Sequence, residues 1–348
     1  MKKVLGIFRG FPGLGRVVAG VSLLETLRDS HNCHIKFISY LQGNKYLSSR
    51  GYLDLKEAAP MDYCSIGLLP TNKMGAYIHS TIRSFMPDVI VIDGEPLILQ
   101  SIRISHKNVK IVGLLNPADV DNPDNDLDAM DFFNAMYSLS DLAIVHGLRQ
   151  VKPDQRYKNI ISIHSIIRRE LIAVKNTPTN NIYCVLGGGT VNVEQQFEDS
   201  TLRIGELCQK AAALLPEYIM HIICSSPNIF KALSGNNYAA NIKLHEGILA
   251  AEKYYSNACL MITRSGRNSL SELAYLGIPA ISFVSGCTYR KIEQANNIND
   301  LNTPTIVPAS PEMTPESFAR LCLKMIRKKA NSFLQCGNNE AIKHILQL

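Results

Sequence analysis

Short apolar, largely β-branched runs alternate with longer stretches of helical period along the whole chain, the pattern of parallel sheets joined by crossover helices. In the first half the pattern predicts strands at 4–8, 34–39, 89–92, 110–114 and 142–145. Several are apolar nearly throughout, as expected of strands covered on both faces. Helices are predicted between them at 17–28, 73–85, 96–106 and 127–139. The polar stretch 173–181 (AVKNTPTNN) fits neither period and reads as a linker. After it, strands are predicted at 182–186, 219–224, 242–244, 259–262 and 280–284. Helices are predicted at 194–214, 227–233, 250–256, 268–276, 290–300 and 315–330, with a short one at the C-terminus. The expected fold class is α/β, with two Rossmann-like parallel-sheet domains, 1–172 and 182–330, facing each other across a cleft. The remaining segment, 331–348, is expected to form a C-terminal helix that packs back on the first domain.

Size agrees with two domains, because 348 residues exceed the roughly 250–300 at which a single hydrophobic core stops growing. The formal charge of +6 comes without a Lys/Arg tract, which argues against a nucleic-acid partner. One local concentration, Lys324, Arg327, Lys328 and Lys329, reads first as a solvated helix face and second as a patch for anionic lipid. The nine cysteines are odd in number, lack CxxC spacing, and in several cases sit inside apolar runs. Such thiols behave as small buried hydrophobes in a reducing compartment. With the first strand starting close to Met1 and no apolar run of about 18 residues, the expected location is cytoplasmic.

Chemistry should lie in the loops after strands, since open parallel sheets bind ligands at their carboxyl ends. The first such loop, 10–15 (GFPGLG), has glycines at Gly13 and Gly15 that would let amides approach an anion; a tight turn without a ligand is the other reading. The second, Gly187-Gly188-Gly189-Thr190, gives up side-chain packing at three consecutive positions, which favours close backbone approach to a phosphate. The third is Arg264-Ser265-Gly266 leading into a helix with Ser269 and Glu272. An arginine at a helix N-terminus suits a diphosphate, and a carboxylate one turn on could accept from a ribose diol. The alternative makes Ser265 and Ser269 helix caps. The fourth, Glu293-Gln294-Ala295-Asn296-Asn297, offers a carboxylate and an amide to sugar hydroxyls, or simply a polar helix face.

In this order the last three motifs resemble the nucleotide-sugar domain of GT-B glycosyltransferases. The nearest likeness is to the family of the N-acetylglucosaminyltransferase that makes lipid II, glycosyltransferase family 28. It runs through 241–297, with RSG, S-E, G-x-P and E-Q-x-x-N in register. The first half instead resembles a less characterised GT-B branch with a D-x-E-P motif, here Asp93-Gly94-Glu95-Pro96. The resemblance implies that Gly188, Gly189 and Thr190 line a diphosphate opposite Arg264 and Ser265, and that Ile248 reads the base edge. It further implies that Glu272 holds the ribose, that Glu293 with Gln294 holds the sugar, and that Arg168 matches a linker-proximal arginine. Many relatives place a histidine after the N-terminal glycine loop, where this chain has Arg16.

The expected reaction is transfer of a sugar from a nucleotide diphosphate-sugar, with a lean to a UDP-sugar such as a UDP-N-acetylhexosamine, to an acceptor hydroxyl. The acceptor is a small molecule, glycan or lipid-linked sugar. Helix N-termini and Arg264 would stabilise the leaving diphosphate without a metal or other cofactor, and the likeness favours inversion. Asp93 and Glu95, after a buried strand, are the candidates for the base, Glu95 slightly ahead. Their alternative is turn formation and capping of the helix that starts at Pro96. Two other functions stay open: a nucleotide-sugar hydrolase or epimerase on the same fold, and a non-catalytic nucleotide-sugar-binding subunit. Phe11, Leu14 and the stretch 66–70 leave room for a peripheral membrane contact. The acidic stretch with Asp124, Asp126 and Asp128 lacks the glycine and later glutamate of a calcium loop.

Overall fold

The computed structural model describes residues 1–10, 13–55, 73–121, 127–152, 154–186, 195–224, 226–236, 238–247, 250–284, 288–328 and 332–348. They form two compact units, Met1–Arg169 with Cys336–Leu348, and Glu170–Gln335. Each unit is built on a six-stranded sheet whose paired strands are all parallel.

The first sheet contains β1 (Lys3–Phe8), β2 (His34–Ile38), β3 (Val89–Asp93), β4 (Lys110–Leu115), β5 (Leu142–His146) and β6 (Ile160–Ile163), in the order β2-β1-β3-β4-β5-β6. Its helices are α1 (Gly15–His31), α2 (Gln42–Ser49), α3 (Lys73–Phe85), α4 (Pro96–Ser105), α5 (Pro117–Val120) and α6 (Leu127–Tyr137). The pleat sends alternate residues to opposite faces. Val4, Phe8, Val89 and Val91 meet α1 on one face, while Leu5, Ile7, Ile90 and Ile92 meet Ile78 and Ile82 of α3 and Ile98, Leu99 and Ile102 of α4 on the other. Burial on both faces is why β3 (VIVID) is apolar up to its last residue.

The second sheet contains β7 (Asn181–Val185), β8 (Ile219–Cys224), β9 (Ile242–Glu246), β10 (Ala258–Arg264), β11 (Ala280–Phe283) and β12 (Ile306–Ala309), in the order β12-β11-β10-β7-β8-β9. Its helices are α7 (Gln195–Ala212), α8 (Pro227–Ser234), α9 (Ala251–Tyr255), α10 (Arg267–Leu276), α11 (Thr288–Leu301) and α12 (Pro315–Ile326). The stretch 173–181 runs along this unit: Thr177 and Thr179 donate backbone N–H groups to the Ser256 and Asn257 carbonyls at 2.7 and 3.0 Å. The Asn176 side-chain amide reaches the Tyr255 and Ala258 carbonyls.

Helix α13 (Asn338–Leu346) belongs to the first unit, where Ala341, Ile342 and Ile345 join the core beside α1. Asn338 is buried and grips Ile167 by both backbone groups, accepting from its N–H at 2.8 Å and donating to its carbonyl at 2.9 Å. Gly337 makes that approach feasible, since a Cβ there would lie 2.1 Å from the His164 carbonyl oxygen.

Among the described strands and α-helices, four go beyond the sequence reading: β6, β12, α2 and α5. Strand β12 (IVPA) carries Pro308, which a strand tolerates at the edge of a sheet, where β12 lies. Helix α2 (QGNKYLSS) has too few apolar residues to show a period. The thiols of Cys33, Cys184, Cys208, Cys224, Cys259 and Cys322 are free and buried, packing as small apolar groups. Cys64 and Cys287 lie outside the described residues. Among the described residues no helix is long and apolar enough to cross a membrane. Lys324, Arg327 and Lys328 are exposed on and just after α12. Lys329 lies outside the described residues.

Candidate functional site

Strand order reverses between β1 and β3 in the first unit and between β7 and β10 in the second. Crevices at the carboxyl ends of such strand pairs are where doubly wound sheets hold ligands.

In the first unit, β3 ends at Asp93, and Gly94 follows with φ +82, a left-handed conformation that strains any residue with a Cβ. A Cβ at Gly94 would also lie 2.6 Å from Arg16 Cδ and 3.0 Å from Arg9 Cβ. The glycine thus turns the chain and admits two arginines over the strand ends. Asp93 Oδ1 accepts from Arg16 Nη1 at 2.5 Å, and Arg16 Nη2 also reaches Asp119 at 3.5 Å. Glu95 Oε1 accepts from Arg9 Nε at 3.2 Å and from the Tyr40 hydroxyl. Glu95 Oε2 has no hydrogen-bond partner among the described residues. Asp93 and Glu95 are 0% and 1% exposed.

Glu95 stands at the N-cap position of α4, with Pro96 at the first helical position, yet its side chain makes no capping bond. Capping by this carboxylate is therefore set aside; it is committed to Arg9 and Tyr40 instead. Burial pushes the Glu95 carboxyl above the usual range, opposed by the Arg9 charge and the Tyr40 hydrogen bond. The Tyr40 phenol is raised by burial and by the Glu95 charge, so it stays a donor. Burial works against the Arg16 charge, but Asp119 and Asp93 outweigh it and hold the guanidinium firmly protonated.

The glycine loop after β1 serves two ends. Gly10 lies against the loop after β2, where a Cβ would come 1.9 Å from the Tyr40 carbonyl oxygen, so its smallness is a packing requirement. Gly13 faces open space, and Gly15 opens α1, which has neither an acidic residue in its first turn nor a side-chain cap. Leu14 packs on the core of its unit rather than standing free as a membrane contact. Phe11 and 66–70 lie outside the described residues, as do Asp124 and Asp126. Asp128 is exposed in the first turn of α6, and Arg168 is partly buried just after the gripped Ile167.

In the second unit, β10 is buried along its whole length and delivers Arg264, 8% exposed, at its carboxyl end. The guanidinium donates to the Thr201 and Ser200 hydroxyls of α7. Ser265 is fully buried; its hydroxyl pairs with that of Ser282 at 2.8 Å and donates to the Phe283 carbonyl at 3.2 Å, tying β10 to β11. Gly266 is the N-cap of α10 and makes no side-chain cap, so neither Ser265 nor the partly buried Ser269 caps this helix. Glu272 is 1% exposed, and its Oε2 accepts from the Tyr255 hydroxyl of α9 at 2.9 Å.

The two C-terminal motifs meet. Asn297 of α11 donates its side-chain amide to the Ser265 carbonyl at 2.9 Å. Glu293 lies one helical turn before Asn297 on the same side of α11, partly buried, and Gln294 beside it is 7% exposed. Gly188, Gly189, Thr190 and Ile248 lie outside the described residues. Among the described residues no group of three or more His, Cys, Asp or Glu is arranged to hold a metal ion. Sequence reading missed Arg9, Tyr40, Tyr255, Ser200 and Thr201, which act on the predicted residues from other elements.

Residues 192–344 match the Glycosyltransferase family 28 C-terminal domain. The solved structure of MurG from Acinetobacter baumannii superposes with a TM-score of 0.61 at 15% identity, over 100% of both chains. The fold is GT-B. Over residues 192–344 the chain is similar to the family 28 C-terminal domain, and the match extends from the second unit into α13 of the first. A UDP-GlcNAc 2-epimerase from Methanocaldococcus jannaschii aligns over 99% of both chains with a TM-score of 0.59 at 15% identity. The spinosyn rhamnosyltransferase SpnG, solved with thymidine diphosphate, gives a TM-score of 0.60 at 12% identity over 99% of this chain and 95% of its own. No curated protein matches the chain by sequence.

Proposed function

We propose that the chain transfers a sugar from a nucleotide diphosphate-sugar to an acceptor hydroxyl. The observation that carries this reading is the junction of the Arg264-Ser265-Gly266 turn with α11 through Asn297 and Ser265, at the strand-order reversal of a family 28 domain. The turn and the polar face of α11 are thereby fixed to each other at the sheet end where a nucleotide-sugar belongs. On this reading Arg264, Ser265 and the glycines 188 and 189 with Thr190 surround the diphosphate. Ile248 reads the base, Glu272 the ribose, and Glu293 with Gln294 the sugar. A UDP-sugar is the preferred donor, the acceptor a small molecule, glycan or lipid-linked sugar, and the site of action the cytoplasm, with inversion at the transferred carbon.

The departing diphosphate needs positive potential that is already in place, which the α10 N-terminus and Arg264 supply. Glu95 is the better base. Asp93 is locked to Arg16 at 2.5 Å, whereas Glu95 meets Arg9 at the longer distance of 3.2 Å. A buried carboxyl with a raised pKa is also a stronger proton acceptor once ionised.

The test is to incubate the protein with UDP-N-acetylglucosamine and, separately, dTDP-glucose, following nucleotide release and sugar configuration by proton NMR. Nucleotide release that rises with added acceptor alcohols supports the transferase. Release unaffected by any acceptor points to a hydrolase, and a changed sugar without release to an epimerase. Binding without turnover would fit the non-catalytic subunit.

A further inference from the structure

We propose that Tyr40 and Arg9 are positioning residues that hold the Glu95 carboxylate by its Oε1 atom and reserve Oε2 for the substrate hydroxyl. The inference rests on the reading of Glu95 as the base and adds the two residues that make it one.

The geometry is asymmetric. Both donors converge on one oxygen: Arg9 Nε at 3.2 Å and the Tyr40 hydroxyl together bond to Oε1. They come from different strands, Arg9 from just after β1 and Tyr40 from just after β2. Glu95 follows β3, so three neighbouring strand ends contribute to one carboxylate. Oε2 is buried and has no partner among the described residues. A buried carboxylate oxygen without a donor is costly, commonly about 1–3 kcal/mol, and such atoms persist where a ligand completes them.

A stabilising anchor alone would not need this arrangement, because a lone ion pair is satisfied best when the guanidinium engages both oxygens. Here Arg9 uses Nε on one oxygen, with Tyr40 filling that oxygen's remaining capacity. The carboxylate plane is thus fixed from one side. Tyr40 contributes a hydrogen bond without a charge, and it stays protonated because burial and Glu95 both raise it.

The proton balance is simple. The acceptor hydroxyl gives its proton to Glu95 Oε2 as its oxygen bonds to the sugar carbon. The electron pair of the broken glycosidic bond leaves with the nucleotide diphosphate. The Glu95 proton then returns to water. The groups facing Glu95 are Arg9, Tyr40 and, from α1, Arg16. Of these, Arg9 and Arg16 favour its ionised form by charge, and Tyr40 and Arg9 by hydrogen bonding. Losing either positioning residue therefore raises the Glu95 pKa, and the acid limb of the rate profile moves to higher pH.

The variants are Tyr40→Phe, Arg9→Gln and Arg9→Lys, with Glu95→Gln as the reference and thermal melts to establish folding. The activity probe is UDP-N-acetylglucosamine with water as the acceptor, read as UDP release. Tyr40→Phe and Arg9→Gln should lower kcat by about tenfold or more at unchanged KM and shift the acid limb upward. Arg9→Lys should recover part of both. Independently of turnover, protein labelled with carbon-13 at the glutamate carboxyl gives the Glu95 signal, assigned by its loss in Glu95→Gln. Its titration midpoint should rise in Tyr40→Phe and in Arg9→Gln. An unmoved midpoint in both variants would overturn the positioning role, as would wild-type kcat with a wild-type acid limb. Failure of UDP-N-acetylglucosamine to bind contradicts the donor assignment instead, and the carbon-13 titration still decides the role of Tyr40 and Arg9.

Discussion

Arg16 holds Asp93 across 77 positions of sequence, with Nη1 2.5 Å from Oδ1, and Asp93 is wholly buried. Arg16 is therefore occupied in neutralising a strand-end carboxylate. Its guanidinium, pushed further above its ordinary range by Asp119 and Asp93 despite burial, is unable to act as a base. Removing one partner of a buried pair leaves a stranded charge. Arg16→Met should destabilise the first unit by about 3 kcal/mol, and adding Asp93→Asn should recover much of that loss. Urea unfolding of both variants measures it; equal stability of the single and double variants would show that the pair is not coupled.

Gly94 carries two constraints at once, φ +82 and the approach of Arg16 and Arg9. Gly94→Ala is expected to cost roughly 1–3 kcal/mol from the backbone alone. It should also displace Arg9 from Glu95, so the acid limb of UDP release should move in the same direction as in Arg9→Gln. A variant with wild-type melting temperature and rate profile would show that the turn relaxes without affecting either arginine.

Asn338 closes both hydrogen bonds of the Ile167 backbone from inside the first unit. Asn338→Ala leaves a buried N–H and a buried carbonyl without their partner, at a cost of about 1–3 kcal/mol. Hydrogen exchange should locate the change at Ile167 and the residues of α13. Unchanged protection at those amides would contradict it.

Two histidine pairs make the fold sensitive to mild acid. His221 Nδ1 lies 3.0 Å from His245 Nε2, and His79 Nδ1 lies 3.0 Å from His106 Nε2. Burial, then His245 and Lys243, lower His221 to about 4 from the usual 6.5. Burial also lowers His245, His79 and His106, helped by Lys243 for the first and by Arg83 for the other two. Because each folded-state pKa lies below the unfolded one, the unfolded chain binds more protons. The associated stability is complete above pH 6.5 and declines as pH falls toward about 4. The melting temperature should fall between pH 6.5 and 5, and His221→Gln should flatten that decline. A flat profile in the wild type would contradict the assignment.

Much of the fold could be read from the residues because parallel strands buried on both faces leave continuous apolar runs, as in β3 and β10. The strands that escaped, β6 and β12, are short and lie at sheet edges, where a proline and polar residues are tolerated. Of the site, the carboxylates after β3 and the Arg264-Ser265-Gly266 turn were visible because a polar residue directly after a buried strand stands at the sheet end where ligands bind. Their partners were not. Arg9 and Tyr40 reach Glu95 from 86 and 55 positions away, and only the β2-β1-β3 order brings them together. The serines around α10 misled in the opposite way. Ser265 has the composition of a cap but spends its hydroxyl on Ser282 and Phe283.

On the proposed function, the second unit binds a nucleotide-sugar through Glu272 and its neighbours. The most direct test is the ligand-induced shift in melting temperature for wild type and Glu272→Ala across UDP, UDP-N-acetylglucosamine, dTDP and dTDP-glucose. A ligand at 100 times its dissociation constant should stabilise the fold by about 2.7 kcal/mol. A clear shift is expected with a nucleotide-sugar in the wild type and a much smaller one in the variant, each judged against its own unliganded melt. No shift with any of the four ligands in well-folded protein, or an equal shift in Glu272→Ala, would contradict it.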